Sequence, residues 1–264
     1  MPDISPSKHP DYKPPDDAQA EDAIRGDKPF IMQADGRGWI FVPSGLTDAP
    51  LPTHYEPYES PFDNALYTQR TNPALQQFPR DDNPYNPSDG HPGAEVFPYV
   101  LSTYRLTEHH TAGGMTRTVE HLSELQPEMF CEVSPELAKE RSLENGDWAT
   151  VVTMRSAIEA RVLVTDRMAP LETQGRVVHT VGLPYHWGRK GVVTGDAANE
   201  LLSVVLDSNV HIGEYKAATC DIRPGRRPRG PALVELVEDY RRRAKVEEPV
   251  PPPPGRPERR RIES

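Results

Sequence analysis

The stretch His179 to Lys216, HTVGLPYHWGRKGVVTGDAANELLSVVLDSNVHIGEYK, decides how this chain is read. It opens on a strand over Val177 to Val181, bounded by the turn Gly182-Leu183-Pro184-Tyr185-His186-Trp187-Gly188. Trp187 and His186 together offer a flat apolar face and a polar edge, which suits a heterocycle. The alternative is a structural turn around a buried Trp. Ala197 to Leu206 reads as a short helix with Asn199 near its start. The Asn199 amide can offer both donor and acceptor to a base edge, or it can cap the helix. Lys216 stands just before a closing strand over Ala217 to Ile222. It can meet a phosphate or lie in solvent.

A second segment reads the same way. Tyr99 to Thr107 has strand character and runs into a Gly-rich turn. The turn-bearing run is Thr103, Tyr104, Arg105, Leu106, Thr107, Glu108, His109, His110, Thr111 and Ala112, followed by Gly113-Gly114. Glycines permit positive φ and close approach of backbone to a ligand. Successive N–H groups in such a turn can cradle a pyrophosphate. His109 and His110 are adjacent, so on a strand they point to opposite faces and do not share one metal ion. A hydrogen-bonding or packing role is the expectation for them.

Between these segments the punctuation is regular. Ser134-Pro135-Glu136 starts a helix with Ser as cap, Pro at the first position and an acid in the first turn, ending near Ser142. Asn145-Gly146-Asp147 turns the chain. Trp148 to Met154 and Ile158 to Val164 form a hairpin through Arg155-Ser156-Ala157. Many short strands with few short helices predict a mainly β, compact barrel over 99–225 rather than a doubly wound sheet. Leu233, Leu236, Val237 and Tyr240 mark one face of a final helix within 226–246.

The flanks are different. The chain has 264 residues and 30 prolines, about twice ordinary usage. Prolines cluster before residue 98 and after residue 249, so residues 1–28 read as a solvated arm and 247–264 as a disordered tail. Phe30 to Val42 carries a hairpin signal at Asp35-Gly36-Arg37-Gly38. Residues 29–98 read as an extended segment that wraps over a larger surface, with Tyr55, Tyr58, Phe62 and Tyr67 as apolar anchors; a disordered linker is the alternative.

Residues 1–100 hold 16 acidic and 7 basic side chains, which argues against nucleic-acid binding. Two cysteines, Cys131 and Cys220, cannot build a four-cysteine cluster or zinc site. They are expected as separate core thiols rather than a disulfide. No apolar run approaches the roughly 20 residues of a membrane span. The start lacks a basic end followed by an apolar stretch, so no secretory signal and no direct membrane insertion are expected.

In order, TYRLTEHHTAGGMTR, GLPYHWG, GDAANELL, DSN and EYKAATC resemble the C-terminal domain of the molybdopterin oxidoreductase family, over about Tyr99 to Ile222. The segment Ala34 to Pro61, ADGRGWIFVPSGLTDAPLPTHYEPYESP, is similar to the region preceding that domain in respiratory-type formate dehydrogenases. This resemblance implies a double-psi β-barrel that holds a bis-molybdopterin guanine dinucleotide, with molybdenum or tungsten held by the complete subunit. It places cofactor contacts at Thr103 through Ala112, at His186 and Trp187, and at Asn199 and Lys216. The family commonly has Asp-Pro-Asn where this chain has Asp207-Ser208-Asn209, a departure that loosens a turn.

The implied activity is two-electron oxidation of formate to carbon dioxide. The implied partners are the remainder of the catalytic subunit, with its iron–sulfur and metal-ligand parts, and an iron–sulfur electron-transfer subunit in a membrane-associated complex. The family's metal-ligand and cluster motifs do not occur in this sequence. The chain is therefore expected to be inactive alone, as a split subunit or gene fragment. A non-catalytic binding or assembly module is the alternative, as is another member of the family such as a nitrate reductase.

Overall fold

The computed structural model describes residues 16–17, 57, 59–61, 94–206, 212–213 and 215–244. Two compact units divide the chain, Met1–Thr47 with Asn209–His211 and Asp48–Ser208 with Ile212–Ser264. Of the first unit only Asp16 and Asp17 are described, so the architecture below is that of the second. The expected arm, the hairpin at Phe30 to Val42, most of the wrapping segment, the Asp207-Ser208-Asn209 turn and the tail lie outside the described residues.

Eight strands are described: β1 Tyr99–Tyr104, β2 Phe130–Val133, β3 Trp148–Val152, β4 Ala157–Val164, β5 Leu171–Thr173, β6 Arg176–Val178, β7 Thr180–Pro184 and β8 Ala217–Pro224. Six of them close a barrel in the order β1-β7-β2-β4-β3-β8, and β5 and β6 form a separate two-stranded sheet. The β1–β7 and β2–β4 pairings are parallel. Parallel neighbours need a crossover rather than a tight turn, and the helix Pro135–Arg141 with β3 lies within the β2-to-β4 connection. β3 and β4 form a hairpin as expected, but it turns through 153–156, with Val152 opposite Ala157, rather than through Arg155-Ser156-Ala157.

The barrel interior is filled by small and β-branched residues, with Leu101, Cys131, Val133, Val151, Ile158, Val181, Leu183 and Ile222 all at 0% exposure. These residue types suit a pleated, half-buried surface, which is why runs of four to eight residues without a strong helical period settle as strands. Cys131 and Cys220 are free thiols in this core. Burial pushes the Cys131 thiol up to about 12.

Helix α1 is Glu120–Leu125, α2 is Pro135–Arg141 and α3 is Pro231–Arg243. The α2 start is as the residues dictate: Leu137 N–H donates to Ser134 Oγ at 3.1 Å, and Pro135 occupies the first turn. Ser142 ends the helix in the left-handed region at φ 53°. None of the described helices is long and apolar enough to cross a membrane.

Helix α3 docks through a second, smaller core of Phe97, Val152, Met154, Ala157, Val237 and Tyr240. Leu233 and Leu236 pack against it, as their spacing predicts. Two polar ties were not legible from that spacing. Tyr240 donates to Asp221 Oδ2 at 2.6 Å, and Arg241 Nε donates to the Met154 carbonyl at 2.6 Å. Burial first, and then the Asp221 carboxylate, push the Tyr240 phenol up to about 12.

Three local expectations need correction. β1 stops at Tyr104 rather than Thr107, because Tyr185 N–H takes the Tyr104 carbonyl and the Leu106 N–H turns to His186 Nε2. The strand expected over Val177 to Val181 is two strands, β6 and β7, with His179 between them giving its carbonyl to Val100 N–H. The helix expected over Ala197 to Leu206 is only a 3-10 turn at Ala198–Glu200. A longer helix would need the Leu201 carbonyl for its own ladder. Thr153 Oγ1 and Arg155 already donate to that carbonyl, at 3.0 and 3.3 Å.

The Tyr240 bond to a carboxylate is of the charge-assisted kind. Tyr240→Phe should lower unfolding free energy by about 2 kcal/mol, measured as a reduced urea midpoint with an unchanged slope.

Candidate cofactor site

β1 and β7 run in parallel and finish side by side, with Tyr104 opposite Pro184. Both therefore release their loops at the same end of the barrel. β8 begins at that end too: Thr103 N–H donates to the Lys216 carbonyl at 3.4 Å and Thr103 Oγ1 to the Tyr215 carbonyl at 2.6 Å. The fold thus brings together the turn after β1, the turn after β7 and the approach to β8. Those three carry most of the residues singled out in the sequence.

The loop after β1 is shaped from beneath by two side chains. Leu106 N–H donates to His186 Nε2 at 2.7 Å, and His186 Nδ1 faces the Thr111 carbonyl. A backbone N–H can only donate and a carbonyl can only accept, so His186 is the neutral tautomer with its proton on Nδ1. One ring therefore spans both ends of the segment 106–111. His186 is 0% exposed. Its burial holds the imidazole below its ordinary value, and the nearby Arg105 and His109 also favour the neutral form.

The second support is Arg117, the last residue of TYRLTEHHTAGGMTR, also buried. Its Nε donates to the His186 carbonyl at 2.9 Å, and Nη1 reaches the carbonyls of Gly188 and Val193, each at 3.1 Å, and of Lys190. In return the Arg117 carbonyl accepts from Val192 N–H at 2.7 Å. The guanidinium thus stitches the loop after β1 to the loop after β7. Burial pulls its pKa down, and the carbonyl dipoles replace water around the charge. Gly113 sits at φ +71°, and a Cβ there would lie 2.1 Å from the His186 carbonyl oxygen, so only glycine lets the two loops touch.

The two histidines part, although they lie in the loop after β1 and not on the strand from which that was expected. His109 is buried, its ring 5.2 Å edge-on from Trp187, while His110 is exposed. His109 Nε2 lies 3.2 Å from the Gln126 carbonyl, and Thr116 Oγ1 sits 3.2 Å from Nδ1 while accepting from His110 N–H.

The remaining candidates sort by exposure. Arg105, Thr107, Thr111, Ala112, Asn199 and Lys216 are exposed, Tyr104, Leu106 and Glu108 are half-buried, and Thr103 and Trp187 are buried. Arg105 holds its guanidinium 4.2 Å over the Tyr185 ring, which presents the charge at the loop surface. Asn199 is linked to the others through its neighbour: Glu200 pairs with Arg189 of the loop after β7 at 2.9 Å. Trp187 Nε1 is buried and has no partner among the described residues. Arg117 was quoted in the sequence without a role. Its signal, a lone Arg after a Gly-Gly turn, carries no information about what it will reach.

With this geometry in place, comparison with known proteins is specific. Residues 99–219 match the family model of the molydopterin dinucleotide binding domain. The barrel belongs to that family. The chain is related to α subunits of formate dehydrogenases. The formate dehydrogenase 2 subunit alpha (cytochrome c-553) of Nitratidesulfovibrio vulgaris is 38% identical over 202 residues, covering 76% of this chain and 20% of the relative. The formate dehydrogenase subunit alpha of Megalodesulfovibrio gigas is 37% identical over 207 residues, covering 74% and 19%. The nitrate-inducible formate dehydrogenase major subunit of Escherichia coli K12 is 40% identical over 198 residues, covering 74% and 19%. The chain spans about one fifth of the length of these relatives.

The family's dinucleotide fits what the residues offer. The loop 105–112 presents exposed residues at Arg105, Thr107 and His110 to Ala112, Lys216 adds a second cation to that of Arg105, and the Trp187 indole leaves one buried donor without a partner among the described residues. A phosphate-bearing heterocycle asks for that combination.

The neutrality of His186 gives a pH signature. Its folded pKa lies below the ordinary 6.5, so above that pH neither folded nor unfolded chain holds the proton. As pH falls from 6.5 toward the folded value, the unfolded chain binds the proton first and the fold loses stability. The drop in urea midpoint between pH 8 and pH 5.5 should be smaller in His186→Gln than in the wild type.

Proposed function

We propose that this chain forms the cofactor-gripping part of a molybdenum- or tungsten-dependent formate dehydrogenase catalytic subunit. The cofactor is a bis-molybdopterin guanine dinucleotide, seated at the end of a double-psi barrel where β1 and β7 finish. The observation that carries this reading is the clamped, outward-facing loop 105–112, inside the stretch that matches the dinucleotide-binding family. Kinship with formate dehydrogenase α subunits over about three quarters of the chain supports formate as the substrate.

When bound, the metal-bearing pterin supplies the two-electron chemistry that takes formate to carbon dioxide and a proton. The chain's own residues bind and orient. Backbone N–H groups of Thr107, Thr111 and Ala112 and the Arg105 guanidinium meet phosphate charge. Lys216 provides a compact cation at the approach to β8, beside Thr103. The Asn199 amide offers donor and acceptor to a pterin or base edge. His186 and Trp187 shield the loop from below, and they exclude water from the seat. The metal ligand, the iron–sulfur clusters and an electron-transfer subunit are assigned to partner polypeptide, in a membrane-associated complex.

Tagged chain purified gently from its own host tests this. Pterin fluorescence and molybdenum or tungsten should co-purify with it, together with a large iron–sulfur protein. Asn199→Ala and Lys216→Ala should each lower pterin per chain severalfold while thermal unfolding stays unchanged, since both residues are exposed. A wild-type chain that is alone, metal-free and pterin-free would instead identify a non-catalytic assembly module.

A further inference from the structure

Glu59 lies forty residues ahead of the first strand of the barrel and outside the matched family stretch, yet it is 3% exposed. A buried carboxylate is costly unless it is paired and hydrogen-bonded. Here it has both. Glu59 Oε2 accepts from Thr219 N–H at 2.8 Å and from Thr219 Oγ1 at 3.1 Å. Glu59 Oε1 forms an ion pair with Arg155, whose side chain is itself 9% exposed.

Each partner leads toward the cofactor end. Thr219 stands three residues beyond Lys216 on β8 and pairs with Val100 of β1. Arg155 donates to the Leu201 carbonyl at 3.3 Å, and Thr153 donates to the same oxygen at 3.0 Å. Leu201 closes the 3-10 turn that carries Asn199, and its own N–H returns to the Ala198 carbonyl. One carboxylate therefore holds two elements. It grips the strand that follows Lys216 directly, and it grips the turn that presents Asn199 through one guanidinium.

We propose that Glu59 is a positioning residue of the cofactor site, fixing the Asn199 turn and the Lys216 strand to one buried point. The proposal rests on the reading that Asn199 and Lys216 meet the dinucleotide. A shorter acid cannot span Thr219 and Arg155 together, and an amide can keep the Thr219 bonds but not the ion pair. The barrel would close without Glu59, since its own pairing and core do not include it. What Glu59 adds is the relative placement of two arms that no strand pairing joins.

The test uses the full chain. Amide hydrogen exchange is followed by mass spectrometry over 197–206 and 217–222 in the wild type, Glu59→Gln, Arg155→Met and the Glu59→Gln/Arg155→Met double variant. Pterin per chain is read from the same preparations, made in the host. Glu59→Gln should speed exchange about tenfold in 197–206, and Arg155→Met should do so there while sparing 217–222. Either single change leaves a buried group without its partner, whereas the double change removes the charge pair together, so the double variant should recover much of the unfolding midpoint. Even so, its 197–206 segment should stay fast and its pterin content should stay severalfold low. That loss at matched stability is what a merely structural acid would not produce.

A double variant with wild-type exchange in 197–206, or with wild-type pterin, overturns the proposal. Should the Glu59 variants fail to fold, Thr219→Val removes one bond and no charge. It should speed exchange in 217–222 in a folded chain, and unchanged exchange there overturns the proposal equally. If the wild type itself retains no pterin, the cofactor reading falls, and Glu59 with it as a positioning residue. If the wild type retains pterin and Glu59→Gln matches it, only the Glu59 proposal falls.

Discussion

The end of this barrel where β1 and β7 finish depends on one buried cation that has no carboxylate beside it among its described partners. Arg117 spends its donors on four backbone carbonyls, those of His186, Gly188, Lys190 and Val193. A planar guanidinium suits that task because its N–H groups diverge in fixed directions, and a lysine ammonium would not cover the same spread. Two irregular loops, neither with a ladder of its own, would otherwise leave these carbonyls seeking water. Once the guanidinium is in place, the loop after β7 is held, His186 is aimed at the loop after β1, and the segment 106–111 is bridged at both ends.

Charge elsewhere on the barrel follows the opposite rule. Glu159 faces Arg226 and Arg229, with bonds of 2.7 and 2.6 Å. Burial pushes its carboxyl up, but the two guanidiniums overcome this and hold it at about 2. Asp196 is likewise bidentate to Arg227, at 2.6 and 2.8 Å. These pairs pin the segment after β8 to β4 and to the loop that follows β7. Acidic and basic side chains nearly balance beyond residue 100, and the acidic excess lies in the first hundred residues.

Much of the barrel was legible because it is encoded locally. The Ser134 cap, the Asn145-Gly146-Asp147 turn and the β3–β4 hairpin each need only neighbours in sequence. β2 and α1, short and without strong punctuation, left no comparable mark. The errors share a cause: a distant group took a backbone partner that local structure would have used. His186 ended β1 early, and Thr153 with Arg155 stopped a helix at Leu201. At the candidate site, the order of TYRLTEHHTAGGMTR and GLPYHWG pointed to two loops that the fold brings to one end of the barrel, but not to the division of labour inside them. Exposure and tautomer depend on what lies across the barrel, and residue type does not report that.

That division has a consequence for how such a site is specified. The residues that would touch a ligand on the proposed reading, such as Arg105, Thr107, Thr111 and Ala112, are exposed, and that reading uses backbone N–H groups beside side chains. Backbone N–H groups are the same whatever residue carries them, so these positions constrain identity weakly. The supports constrain it strongly. Gly113 admits no Cβ, His186 must accept at Nε2 and donate at Nδ1, and Arg117 must fork to several carbonyls. Glu59 extends the same logic to the opposite arms of the seat, through a buried carboxylate rather than a ring or a guanidinium. On the proposed reading, recognition by this barrel is therefore written mainly in side chains that a bound dinucleotide need not touch.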